Sequence, residues 1–197
     1  MIEARQQVRE LVLRARSGEV EAFEMLYHMH QAGIFTFIRS QVRQAELAAD
    51  LTQDTFVRAW ESLPKLRDEN AFRGWLHRIA SNLIRDEVKS GRARLEVVES
   101  AWSDENGSVR PEQPTLERDG PEQIALAREA SREVWAALGA LPTEQQAAVV
   151  MHHLEGMSVE EIAAAMKVRP GTIMSRLARA REALRQSLRH RVEDKDE

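Results

Sequence analysis

The chain of 197 residues contains no cysteine, which excludes disulfides and thiolate-bound metals and fits a reducing compartment. Aromatic residues make up 5% of it, with a single tyrosine, and no segment alternates apolar and polar residues as a half-buried strand does. No apolar run approaches the ~18 residues of a membrane-spanning helix, so membrane insertion is not expected. The opening Met1-Ile2-Glu3-Ala4-Arg5 has no hydrophobic segment of signal-peptide type, and the expected location is the cytoplasm. Phosphate-cradling glycine loops and nucleophile motifs are missing too, so neither a catalytic residue, nor a cofactor, nor a metal site is expected. What is abundant is Ala, Leu, Glu and Arg, with charged residues at 30%. Without a strand pattern, that composition predicts an all-α fold class.

Between residues 95 and 122 the composition changes abruptly. Eight acidic residues there face only Arg110 and Arg118, a net of −6, and Gly107, Pro111, Pro114, Gly120 and Pro121 interrupt any helix. No apolar period survives, as in a tether rather than a folded unit. The expected organisation is therefore two small helical domains, 1–94 and 123–190, joined by a flexible acidic linker over 95–122 and followed by a charged tail at 191–197.

The second half carries the most specific pattern. Ser158, with Glu161 three residues later, is a capping box at a helix start. Val159, Ile162, Ala163 and Met166 then fall on one apolar face. Val168 and Arg169 make a short turn, and Pro170 suits the first position of a following helix. In that helix Ile173, Leu177, Ala180 and Leu184 are expected to point inward, which leaves Thr172, Ser175, Arg176 and Arg179 outward. Such a helix-turn-helix places outward residues against base edges and phosphates of a major groove. Residues 157–191 hold eight basic against three acidic residues, +5 in a chain of net charge −4. The positive charge is thus concentrated where a phosphate backbone would be met.

In the first half, helices are expected near 3–16, 20–40, 45–63 and 70–90. Their core candidates are Val8, Leu11, Val12 and Ala15, then Phe23, Leu26, Tyr27, Ile34, Phe37 and Ile38. The third helix is expected to bury Phe56, Val57, Trp60 and Leu63, and the fourth Phe72, Trp75, Leu76, Ile79 and Leu83. Opposite the third core stripe, Asp50, Gln53, Asp54, Arg58 and Glu61 form a continuous polar face. Around the fourth lie Arg73, His77, Arg78, Asn82, Arg85 and Lys89. Aromatics interleaved with cations and amides suit single-stranded nucleic acid, whose bases need stacking surfaces and hydrogen-bond donors.

Two stretches, Asp50-Leu51-Thr52-Gln53-Asp54-Thr55-Phe56-Val57-Arg58-Ala59-Trp60 and Phe72-Arg73-Gly74-Trp75-Leu76-His77-Arg78-Ile79-Ala80-Ser81-Asn82, resemble the second region of bacterial extracytoplasmic-function (ECF) sigma factors, group IV of the sigma-70 family. Leu154-Glu155-Gly156-Met157-Ser158 through Arg181 resembles their fourth region. The resemblance implies a dissociable subunit that directs core RNA polymerase to promoters. Asp50, Gln53, Asp54 and Arg58 would dock on the clamp helices of the largest polymerase subunit, and the fourth region on the flap of the second largest. Lys65, Arg67, Asn70, Arg73, His77, Arg78, Asn82 and Arg85 would melt and read the −10 element. Gly171, Thr172, Ser175, Arg176, Arg179 and Arg181 would read the −35 duplex. The resemblance also implies an anti-sigma factor as a partner. One departure is Met174, which stands where the family commonly has Lys or Arg.

Reach agrees with such a division of labour. Two promoter elements one and a half to two turns apart lie roughly 50–70 Å from each other, at about 34 Å per turn. A tether of 28 residues extends to about 95 Å at most. Two other readings compete. A helix-turn-helix regulator that is not a polymerase subunit would explain residues 140–190 but not 50–60 or 75–82. An enzyme using His28 and His30, or His152 and His153, would need further ligands on the same face, and the rings of His-x-His on a helix point apart.

Overall fold

The computed structural model describes residues 2–42, 44–90 and 133–193. All regular elements among them are helical. The expected tether at 95–122, both boundaries beside it and the end of the charged tail lie outside the described residues.

Four helices build the first half: α1 (Ile2–Arg16), α2 (Val20–Gln41), α3 (Ala45–Ser62) and α4 (Phe72–Ser90). Gly18, at φ +98°, makes the turn from α1 to α2 in a conformation that side chains disfavour. In α3 the buried set Ala48, Leu51, Thr52, Thr55, Phe56 and Ala59 recurs at helical spacing. Two threonines are tolerated inside because their hydroxyls donate to the carbonyls of Ala48 and Leu51, at 2.7 and 2.6 Å. Phe23 and Tyr27 of α2 meet Phe56 and Trp60 of α3, with ring centroids 4.8–6.5 Å apart. Val57 departs from expectation. It is 56% exposed, because one residue beyond Phe56 is about 100° round the helix, on the polar stripe between Asp54 and Arg58. Pro64 then stands in a 3₁₀ turn, Leu63–Lys65, directly after α3.

The second half contains a helical segment at 133–139, α5 (Thr143–Val149), α6 (Val159–Met166) and α7 (Pro170–Glu193). Helix α5 continues into one π-helical turn, Val150–Leu154, in which the Glu155 amide donates to the Val150 carbonyl at 3.1 Å. Ile162, Ile173, Leu177 and Ala180 are buried where α6 and α7 pack together. The two halves also pack directly against each other. Helix α2 meets α5 and the π-turn, α4 meets α6, and buried residues from both halves form one apolar cluster.

Candidate nucleic-acid and partner interfaces

The start of the helix-turn-helix is closed by the expected box: the Glu161 amide donates to Ser158 Oγ at 3.2 Å, and the Ser158 amide to Glu161 Oε2 at 2.8 Å. Lys167 ends α6 in the left-handed conformation, φ 55°, and the Val168 amide returns to the Ala163 carbonyl at 3.0 Å, which folds the chain back over the last turn of the helix. Pro170 opens α7. Gly171, Ser175, Arg179 and Arg181 are exposed and Thr172 is half-buried. Arg176 is less free than its spacing suggests. Its guanidinium pairs with Glu144 of α5 and lies 3.9 Å from Met166 Sδ, leaving the side chain 15% exposed. Met174, by contrast, is 58% exposed, and beside it Ala178 is exposed with almost no side chain. The Arg181 Nε donates to the Leu177 carbonyl at 3.4 Å, so this arginine lies back along its own helix.

In the first half, the loop before α4 is held from two sides. Arg16 donates to the Leu66 carbonyl at 3.1 Å and pairs with Glu69 at 2.8 Å. Asp68 accepts from the backbone and side-chain nitrogens of Asn70, at 3.0 and 3.1 Å. Lys65, Arg67 and Asn70 are exposed on this rigid loop. Along α4, Asn82 and Arg85 are exposed and joined by a 3.0 Å bond from Arg85 to Asn82 Oδ1, while Arg78 is half-buried.

His77 is placed otherwise. It was expected on the outward stripe and is 1% exposed. Its Nδ1 lies 2.9 Å from the Arg73 carbonyl and its Nε2 2.9 Å from Oε1 of Glu155. A carbonyl and a carboxylate both accept, so each ring nitrogen faces an acceptor. The other carboxylate oxygen, Oε2, is 3.8 Å from Arg73. Next to them, burial together with the charges of Arg73 and His77 pushes the pKa of His30 down to about 4, and its buried Nε2 makes no hydrogen bond among the described residues. Sequence reasoning missed Glu155. The one signal for it was Gly33, a glycine inside a long helix, which marks a close approach of something else.

On α3, Asp50, Gln53, Asp54, Arg58 and Glu61 are all exposed. Among the described residues none of their side chains takes part in an ion pair or hydrogen bond. The molecule therefore presents an unpaired polar stripe on α3, a basic loop and helix end on α4, and the outward face of α7.

Two family profiles match the halves separately: sigma-70 region 2 over residues 26–94 and sigma-70 region 4 over residues 131–184. Over 179 residues the chain is 31% identical to the ECF RNA polymerase sigma-E factor of Escherichia coli (strain K12), a match spanning 88% of this chain and 90% of the relative. The chain belongs to the ECF RNA polymerase sigma factor family. The ECF RNA polymerase sigma factor SigE of Mycolicibacterium smegmatis is 42% identical over 142 residues, 72% of this chain and 51% of that protein. Among solved structures, CnrH in complex with the cytosolic domain of CnrY superimposes with a TM-score of 0.65 at 28% identity, over 93% of this chain and 98% of that one. The sigma factor RpoE of Bartonella quintana, in complex with the anti-sigma factor NepR, gives 0.62 at 26% identity, over 85% and 96%. As a sigma factor of this family the protein acts in polymerase-associated, promoter-specific initiation, and the reading as a regulator outside the polymerase is not favoured. Sigma factors are regulatory subunits and not enzymes. None of the described helices is long and apolar enough to cross a membrane.

Proposed function

We propose that the three surfaces divide the work of initiation in the cytoplasm. The α3 face of Asp50, Gln53, Asp54 and Arg58 docks on the clamp helices of the largest polymerase subunit, and the second half on the flap of the second largest. Lys65, Arg67, Asn70, Arg73, Arg78, Asn82 and Arg85 melt the −10 element and hold its unpaired strand, where cations meet phosphates and amides meet unstacked bases, while the buried His77 supports α4 from within. Gly171, Thr172, Ser175, Arg176, Arg179 and Arg181 face the −35 duplex in its major groove. Met174 adds an apolar contact among them. An anti-sigma factor is a further partner, a reading supported by the RpoE–NepR complex.

The observation that carries this reading is the α3 stripe. Five polar side chains share one exposed face and, among the described residues, none of them has an ion-pair or hydrogen-bond partner. Run-off transcription with core polymerase, with and without the chain, tests it directly. A promoter-specific transcript is expected only when the chain is present. The double substitution Asp50→Lys/Asp54→Lys is expected to abolish pull-down of core polymerase while the far-ultraviolet circular dichroism stays helical. Undiminished pull-down by that variant would overturn the docking assignment.

A further inference from the structure

Helix α1 supplies none of the surfaces assigned above, yet its last residue reaches the loop that precedes α4. Arg16 ends α1, beside the buried Ala15. The turn that follows is pinned by Arg14, whose Nε donates to Glu19 Oε2 at 2.9 Å. From this fixed base Arg16 meets a residue 50 positions later. One nitrogen, Nη1, serves two acceptors, the Leu66 carbonyl at 3.1 Å and Glu69 Oε1 at 2.8 Å. An Nη1 group carries two hydrogens, so it satisfies both at once. The Arg16 and Glu69 side chains are only 33% and 17% exposed, and a charged bond screened from water in this way contributes more than a surface ion pair.

The two acceptors bracket the part of the loop with least structure of its own. Leu63–Lys65 and Glu69–Ala71 are 3₁₀ turns, and between them Leu66 and Asp68 are extended. Extended backbone sends successive side chains to opposite sides. Leu66 is buried, so Arg67 is turned outward, where it is exposed. Asp68 adds a second constraint. Its carboxylate only accepts, so the Asn70 amide has to turn its nitrogen inward, at 3.1 Å. The Asn70 carbonyl oxygen and one N–H are left for a base. We propose that Arg16 is a positioning residue for base choice in the −10 element: by clamping Leu66 and Glu69 it holds Arg67 and Asn70 in one register against the unpaired strand. The proposal rests on the promoter reading above and names what sets the geometry of one of its surfaces.

Two measurements separate the clamp from the reading it serves. The first needs neither DNA nor polymerase. Hydrogen exchange is followed in the free chain at the Asn70 and Ala71 amides, which donate to the side chain and the carbonyl of Asp68. Arg16→Ala is expected to speed it by about fivefold, the worth of one hydrogen bond, while amides within α2 keep the parent's rates. An unchanged rate at both amides would overturn the clamp. The second measurement uses holoenzyme assembled with core polymerase, and promoters that differ by single bases in the −10 element. Run-off transcription gives the ratio between the best and the worst base at each position. Arg16→Ala is expected to lower that ratio by about fivefold at one position or more, with binding of an isolated −35 duplex unchanged. Arg16→Lys also offers several hydrogens from one nitrogen, and is expected to restore most of the ratio. Parental ratios in Arg16→Ala, or equal losses in the alanine and lysine variants, would overturn the positioning role. Parental ratios in both Arg67→Ala and Asn70→Ala would overturn the loop reading and the proposal with it. Faster exchange in Arg16→Ala would then mark the reading, not the clamp, as the part that failed.

Discussion

Met174 occupies the outward face of α7 with more than half of its surface in solvent, a position that an unbranched apolar side chain takes at some cost unless something covers it. The one apolar group in a major groove is the 5-methyl of thymine. Arg176, two residues further on, is held by Glu144 and Met166, whereas the long side chains of Met174 and Arg179 are left exposed on this part of the helix. Replacing thymine by deoxyuridine at successive −35 positions should therefore weaken binding of the parent at one of them by about fourfold, the worth of roughly one buried methyl or methylene at ~0.8 kcal/mol. Met174→Ala should bind the two duplexes equally. Binding measured by fluorescence anisotropy decides the matter, and an equal deoxyuridine penalty in parent and variant would place Met174 outside the contact.

At the scale of elements, α2 accepts a weakness for the sake of its neighbour. A glycine inside a helix is less stable than alanine by about 0.5–1 kcal/mol, and Gly33 lies well within the 22 residues of α2. Its place is explained by the carboxylate 3.1 Å from the missing Cβ. In a Glu155→Ala background, Gly33→Ala should raise unfolding free energy by about 0.5–1 kcal/mol, the helix-propensity term alone. With Glu155 present, the same substitution should gain little or lose, since the carboxylate pinned on His77 has to move. Urea denaturation of the four proteins gives the coupling. Identical gains in both backgrounds would show that the two residues do not share the space.

For the whole molecule, acid is the sensitive direction. Burial first, then Arg73 and His77, hold the folded pKa of His30 at about 4, with Glu155 opposing. In the unfolded chain a histidine titrates near ~6.5. Between these values the unfolded chain binds a proton that the folded one refuses, so stability is full above pH ~6.5 and declines as the pH falls toward 4. At about 1.4 kcal/mol per pH unit, this one group accounts for a loss of roughly 3 kcal/mol at the acid end of that range. His30→Gln should flatten the decline while leaving the carboxylates to contribute theirs. Unfolding curves recorded at several pH values for the two proteins check this, and parallel profiles would exclude His30 as the source.

The features written plainly in the sequence are those made by near neighbours. The all-helical class, the starts and ends of α1–α4, the Ser158–Glu161 box and the polar stripe of α3 all follow from spacings of three and four residues, which bring side chains together whatever the rest of the chain does. The motifs at 50–60, 72–82 and 154–181 likewise marked the family before any fold was seen. What depended on tertiary structure was every statement about which outward-looking residue stays outward. His77 sits at a spacing that reads as surface, and it is buried because a carboxylate 78 positions later docks on it. Arg176 is drawn in by Glu144, 32 positions earlier. Helical periodicity sets the face on which a side chain lies. Whether that face meets water, DNA or the other half of the molecule is set by how helices dock over long separations, through shape and charge matched between segments that carry no mark of each other.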